Sequence, residues 1–517
     1  MKRIKIFFLT IMSVFLTMTA CDEGFDEMNI NPVQPTTLDP VFLMNQAILE
    51  TTFSGSTLPY ELAIVQQIVS PNSGVLAGGN YNQDNRPVTQ GTWNKYYRNV
   101  IKHTTDVMRL TADDDSRSNL FNMARIIHAH AMMVLTDTYG DIPYTQAGLG
   151  FLDGVVSPVY DPQESVYSDI LSELEAAAGA LDAGKSTESG EVLYGGDITK
   201  WKRLGYSLLL RAAMRHSKVA PNVASEFVGK AVAGGVMQSN DDNAVIYHDF
   251  NYTNQIGNTL NATEANNYYL AAPFVTYLKE NDDPRLMSIS VRYKGAISGP
   301  DQNNTINGNP PAGVERSIIP EDQIGMPMGY DNETIVPVAA NLGLASFYDF
   351  SQLDRTRMGA RDAPVFLVTY SQTSLLLAEA AVRGWTQGNA AALYEQGIRA
   401  HMAQLADYGD ASAVPQEAID TYVAANPLDQ GDALEQINTQ YWVVSFLNGP
   451  ESFANFRRSG FPALAPNPFP GSEINGDFIR RLTYPTDEFS VNITNIQQAI
   501  SRMGPDNLDT RVWWDAD

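Results

Sequence analysis

The sequence predicts a mainly α-helical protein, a scaffold of helix pairs carrying long inserted loops, and three observations lead there. Apolar residues recur at helical spacing through most of residues 41–217 and again through 371–446. Leu120 to Tyr139 has only Arg125 and Asp137 as formal charges and is apolar nearly all round, as a helix buried among other helices must be. Residues 236–365, by contrast, lose the helical period and fill with turn formers, as in SGPDQNNTINGNPPAG at 298–313, the composition of functional loops.

The chain opens with Lys2, Arg3 and Lys5, then an apolar run from Ile6 to Met18 that is too short for a bilayer-spanning helix and reads as a signal peptide over residues 1–20. Met18, Thr19 and Ala20 approach Cys21, the only cysteine, in a pattern resembling the lipobox of bacterial lipoproteins. Cys21 is therefore the expected lipidation site and mature N-terminus. At about 0.8 kcal/mol per buried methylene, several acyl chains there would give a lasting membrane anchor. Residues 21–40, acidic with three prolines, read as a lipidated tether outside the core, and 41–517 as one helical domain.

Within that domain Leu43, Ala47 and Ile48, then Leu62, Val65, Ile68 and Val69, mark helices on either side of a break at Gly55–Pro59. Residues 71–91 read as a polar loop, and Trp93, Tyr96, Tyr97, Val100 and Ile101 as the next helix. Gly140, Asp141 and Pro143 stop the helix that ends at Tyr139. Asp161, Pro162 and Glu164 predict an N-cap, a first-turn proline and a capping-box acid for a helix carrying Val166, Ile170, Leu174 and Leu181. It pairs with a second helix over Thr199 to Ser217, and Ser371–Arg383 with Asn389–Leu405 repeats the arrangement, the unit of tetratricopeptide-like folds. Helices at Gln416–Ala425 and Ala433–Phe446 follow, and the chain turns Pro-, Gly- and aromatic-rich from Asn448.

The formal net charge of −25 becomes −28 once Lys2, Arg3 and Lys5 leave with the signal peptide, which disfavours nucleic acid and anionic membrane surfaces. With one cysteine no intramolecular disulfide forms. His128 and His130 lie about 200° apart around a helix, so they do not share a metal ion and read as packing and hydrogen-bonding residues. There is no HExxH string, phosphate loop or cysteine nucleophile. Asp pairs at 241–242 and 282–283 would be the starting point for a glycosidase or a calcium site, but adjacent loop acids are usually solvated. No enzyme activity, cofactor or metal is expected.

Five strings in order then resemble the SusD/RagB family of outer-membrane nutrient-binding lipoproteins: RIIHAHAMMVLTDTYGDIPYTQA at 125–147, WKRLGYSLLLRAAMR at 201–215, TYSQTSLLLAEAAVR at 369–383, NFRRSGFP at 455–462 and RRLTYP at 480–485. Asp22 and Glu23 also look like the signal that sends such lipoproteins to the cell surface. The resemblance implies four tetratricopeptide-like helix pairs, ligand-binding loops on one face, attachment to the outer membrane and docking over a SusC-like TonB-dependent porin. It departs at Gln372, where many members carry glutamate.

The Tyr139–Pro143 and Arg457–Gly460 segments read as architectural. Ligand contacts are sought in the polar loops, where a ring stacks on a sugar face and an amide bonds its hydroxyls: Tyr81, Asn82, Tyr252, Tyr268, Tyr269 and Tyr330, with Trp93 placed between site and core. The expected ligand is an oligosaccharide. A peptide is the alternative, its cationic forms favoured by the acidic charge, and a tethered hydrolase is a more distant one.

Overall fold

The helix Ser118–Tyr139 forms the spine of the molecule, and 18 of its 22 residues are buried, as its uninterrupted apolar surface dictates. The computed structural model describes residues 38–516 apart from 73, 75, 76 and 263–266; the signal peptide, Cys21 and the tether up to residue 37 lie outside the described residues. Around the spine pack Pro40–Glu50, Lys102–Thr111 and the helix pair Gln163–Ala180 and Ile198–Arg215. The second pair, Tyr370–Val382 with Ala390–Gln404, joins them through Ala433–Val444 and Gly449–Ser459. One apolar cluster runs through all of them, from Met44 to Trp514.

Both pairs close tightly for the same reason. A Cβ on Gly205 would lie 2.7 Å from the Ala178 methyl, and one on Gly397 would lie 2.7 Å from Leu375, so each helix approaches its partner at a residue without a side chain. Their starts are fixed by side chains too: Asp197 accepts from Thr199 and Lys200 N–H, and Asn389 from Ala391 and Ala392 N–H.

Several local expectations are corrected. Asp161 does not cap the helix that follows; it sits in a two-residue strand against Ile142–Pro143, and its carboxylate accepts from the Tyr144 and Thr145 backbone instead. Residues 86–91 belong to a helix, Arg86–Lys95, which runs on through a wide π-turn at Tyr96–Ile101. The segment 236–365 is far from structureless. The helices Ala272–Glu280 and Gly299–Ile306 lie in it, the latter opened by a Ser298–Asp301 capping box inside the supposed loop. It also holds a three-stranded sheet in the order Glu315–Ser317, Ser290–Lys294, Gln352–Leu353.

Antiparallel pairing of Ala244–Ile246 with Val365–Val368 joins the two ends of this excursion at its base. With its ends held, a long insertion adds little further closure entropy. Pro221–Gly234 and Gly449–Ser459 are helices beyond those the sequence marked.

Buried charge locks the helices together. Arg458 reaches Glu379 with two bonds, 2.7 and 2.6 Å long, and neither side chain touches solvent. Burial opposes the Glu379 charge, but Arg458 and Arg383 outweigh it and hold the carboxyl down at about 2. Glu379→Ala strands the Arg458 cation and is expected to cost about 3–5 kcal/mol in urea unfolding near pH 7. Because the folded-state pKa is depressed, the pair's contribution is complete above pH 4.5 and is lost as pH falls toward 2. A wild-type-like urea midpoint for Glu379→Ala would contradict this role.

Candidate ligand-binding site

Two sets of loops are seated on one short stretch of chain, Leu49–Tyr60. On one side Gly79 N–H donates to Pro59 O at 2.7 Å, and the Tyr60 hydroxyl donates to Gln83 O at 2.7 Å, which pins loop 77–85. Gly78 is required there, since a Cβ would sit 2.4 Å from Pro59 O. On the other side Tyr252 OH donates to Leu49 O at 2.5 Å, and Asn254 both caps the helix Gln255–Leu260 and donates to Ala363 O. The loop 247–254 is thereby held on the C-terminal side of its exposed tip, and the paired strand Ala244–Ile246 holds the other side.

Asparagines stitch the first set to two further loops. Asn80 Nδ2 donates to Ser70 O and Tyr330 O while its Oδ1 accepts from Gly329 N–H. Asn467 Nδ2 donates to Gly79 O and Asn80 O, and Glu473 N–H donates to Asn82 O. Segments 70–85, 326–334 and 465–475 thus form one interlocked surface. A second apolar cluster of Val69, Tyr269, Met326, Ile335 and Phe350 lies beneath it.

Burial reassigns most of the residues the sequence nominated. Tyr81, Asn82, Trp93, Tyr268 and Tyr269 are between 0 and 6% exposed, so they offer a ligand no ring face or amide on the surface. Tyr81 packs edge-on against Phe469 at 4.8 Å, Tyr269 pairs with Val69 in a strand, and Trp93 lies among Tyr97, Tyr139, Tyr160 and Tyr484. Asn82 holds a left-handed turn at φ 48°. Only Tyr252 and Tyr330 are half-exposed, Tyr252 stacked on His248 at 4.7 Å.

Among the described residues the most exposed rings are two the sequence reading passed over, Phe250 at 95% exposure and Tyr247 at 69%. Their signal was present in the string YHDFNYT, aromatic residues alternating with polar ones just after a strand. A rigidly based loop that presents bare rings is suited to stacking on an apolar ligand face.

A family model described as starch-binding and associating with the outer membrane matches residues 32–485. The chain belongs to the SusD-like family. Among solved structures, a chitin-binding protein shares 30% identity with this SusD-like chain, with a TM-score of 0.80, over 93% of this chain and 100% of its own. A Bacteroidetes SusD-like protein, AC2a, shares 28% at a TM-score of 0.79 over 93% and 100%. A chitin-binding SusD homologue from Flavobacterium johnsoniae shares 25% at 0.74 over 92% and 98%. No curated protein matches the chain.

One acid of each adjacent pair in this SusD-like protein is tied to a base. Asp242 bonds Arg203 at 2.9 Å, and Asp283 bonds Arg285 with no exposure of either. Among the described residues no group of three or more His, Cys, Asp or Glu could hold a metal ion, and no helix is long and apolar enough to cross a membrane. His128 meets Thr104 Oγ1 at 2.9 Å; His130, expected to hydrogen-bond, has no partner for either nitrogen, and burial pushes it down to about 3, leaving it neutral.

Glu61, next to Tyr60 under the pinned loop, is the exception among the buried acids. It is wholly buried, neither oxygen has a hydrogen-bond partner, and burial raises its carboxyl to about 7. The charged and titratable groups that feel it are Arg457, Tyr60, Tyr96 and Tyr139. Since the folded-state pKa exceeds the ordinary 4.5, its contribution is most favourable below pH 4.5 and is lost as pH rises to 7. Glu61→Gln, which stays neutral, is expected to gain about 3 kcal/mol over wild type at pH 8 and to match it at pH 4 in chemical unfolding. A pH-independent difference between the two proteins would refute this assignment.

Proposed function

We propose that this protein is a surface-exposed lipoprotein of the outer membrane, anchored through Cys21, that captures nutrient oligosaccharides on its loop face and delivers them to a SusC-like TonB-dependent porin. The observation that carries the ligand reading is the pair of bare rings, Phe250 and Tyr247, on a loop fixed at one end by the strand Ala244–Ile246 and at the other by Tyr252 and Asn254. Half-exposed Tyr252 belongs to the same loop, and Tyr330 is half-exposed on the separate, interlocked loops around Asn80. Family membership supports a carbohydrate and an outer-membrane setting, and two similar structures are of chitin-binding proteins, which makes chito-oligosaccharides the first ligands to try. The proposed role is capture without turnover, and one acid of each adjacent pair, Asp242 and Asp283, is engaged by an arginine.

The lipid reading follows from the signal peptide and the lone Cys21, with the tether leading from it to the described body. The formal charge of −28 after signal removal favours cationic peptides among alternative ligands, and a peptide arm belongs in the same experiment.

Stacking contributes about 0.5–1.5 kcal/mol per ring, so Phe250→Ala is expected to weaken chito- or malto-oligosaccharide binding by about 2- to 10-fold, and Phe250→Ala/Tyr247→Ala by more, in titration calorimetry. Unchanged affinity in the double variant would remove the loop from the site, and tight binding of basic peptides alone would replace sugar with peptide. Cys21→Ala is expected to move the protein from the membrane to the soluble fraction while leaving the calorimetric affinity intact. Retention in the membrane would refute the anchor.

A further inference from the structure

A cavity of about 400 Å³ opens beside the π-turn, and no residue of loop 247–254 lines it. Its walls are apolar and flat: Trp93 and Tyr97, with ring centres 4.7 Å apart, and Pro143, Pro158 and Pro485. Trp93 is braced from behind by Tyr139 and Tyr484 edge-on and by Tyr160 stacked at 6.0 Å, and Tyr97 OH is fixed to Pro143 O at 2.6 Å. The floor is therefore held in place whether or not anything occupies it. Pockets of a few hundred Å³ with aromatic walls and a few polar groups are the usual form of a small-molecule site.

The polar groups at the cavity define what would fit. Asn94, Arg98 and Asp487 line it, and among the described residues none of their side chains has a hydrogen-bond or ion-pair partner. Arg98 only donates, ionised Asp487 only accepts, and Asn94 does both. A matching ligand must both accept and donate around its edge while offering an apolar face to Tyr97 and the prolines. Hydroxyl groups on a compact ring do this, since each is at once donor and acceptor. The Tyr96–Ile101 turn is a second, independent pointer, because single π-turns within helices occur often at functional sites, and this one carries Tyr97 and Arg98.

We propose that this cavity is a second binding site, for a single hydroxylated ring of monosaccharide size. It takes the ring's C–H face against half-buried Tyr97 and the proline walls, over the buried Trp93, and its hydroxyls against Asn94, Arg98 and Asp487.

The test is saturation-transfer NMR on the whole protein with glucose, N-acetylglucosamine and mannose, beside glycyl-leucine as a zwitterion of similar size. Variants are Asn94→Trp, which fills the mouth, Arg98→Ala/Asp487→Asn, which removes the charged contacts without adding bulk, and Phe250→Ala/Tyr247→Ala. The expected result is transfer to at least one sugar in wild type, its loss in Asn94→Trp, and a rise in Kd of about tenfold or more in Arg98→Ala/Asp487→Asn. Binding should persist in Phe250→Ala/Tyr247→Ala.

Should Asn94→Trp lose its thermal transition, the charge variant alone decides. Absence of sugar transfer in wild type, full transfer in the folded cavity variants, loss only in Phe250→Ala/Tyr247→Ala, or transfer to glycyl-leucine in place of the sugars would each overturn the proposal.

Discussion

The architecture depends on a buried meeting of charges where the helix pairs converge. Arg215 donates to Asp137 on the spine at 3.1 Å and to Glu451 at 2.7 Å, and Arg211, one turn earlier, lies 3.5 Å from the same Glu451 and bonds Gln372 at 2.8 Å. Tyr441 OH donates to Glu451, Trp514 Nε1 to Asp137, and Tyr167 OH closes on Asp137 from the first pair. Six helices and the C-terminal segment therefore share one set of partners. A buried ion pair adds little net stability over well-packed apolar residues, whereas losing one partner costs several kcal/mol. What the junction gives is uniqueness: only one relative placement of the six helices leaves no charge stranded.

That placement is what lets the loop face be built from distant pieces of chain. Asn80 and Asn467 are nearly 400 residues apart, yet Asn467 bonds Asn80 O because Gly449–Ser459 docks on the spine through Arg457, whose guanidinium reaches Asp137 O and Arg480 O. The C-terminal stretch after Arg480 is also anchored, with Arg481 held by Asp506 at 2.7 Å and Tyr484 OH by Asp141 O. Each of these bonds is to backbone or to a buried acid, so the loops inherit the rigidity of the helices. A surface preorganised in this way spends less entropy when it captures a ligand.

The helix pairs were legible because their apolar residues fall on the helical period, and the ends at Asp197, Asn389 and Gly140 use side chains with strong local preferences. Gly449–Ser459 was not, because it is buried nearly all round and its apolar Phe453, Ala454 and Phe456 are interleaved with buried Glu451, Asn455, Arg457 and Arg458, so no apolar stripe stands out for a search by period. The site was less legible still. Tyr81 and Phe250 both sit in polar, Asn-rich strings, and what separates them is Phe469, nearly 400 residues from Tyr81, which covers one ring while nothing covers the other. Asp161 failed as a cap for a similar reason, since Tyr144 and Thr145 N–H arrive from a neighbouring strand and take its carboxylate.

Gln372, where the resemblance to the family leads one to expect glutamate, fits the charge count at the junction. Asp137 and Glu451 already balance Arg211 and Arg215, and burial penalises any charge left over. The amide serves without one: its oxygen accepts from Arg211 and from Thr369 N–H, completing the cap of its own helix, and its nitrogen donates to Ser445 Oγ at 3.1 Å. A carboxylate at 372 would keep the first two bonds, lose the donor to Ser445, and make a third anion against two guanidinium groups. With Glu451 supplying the anion from the neighbouring helix, position 372 is left to a neutral residue that both donates and accepts.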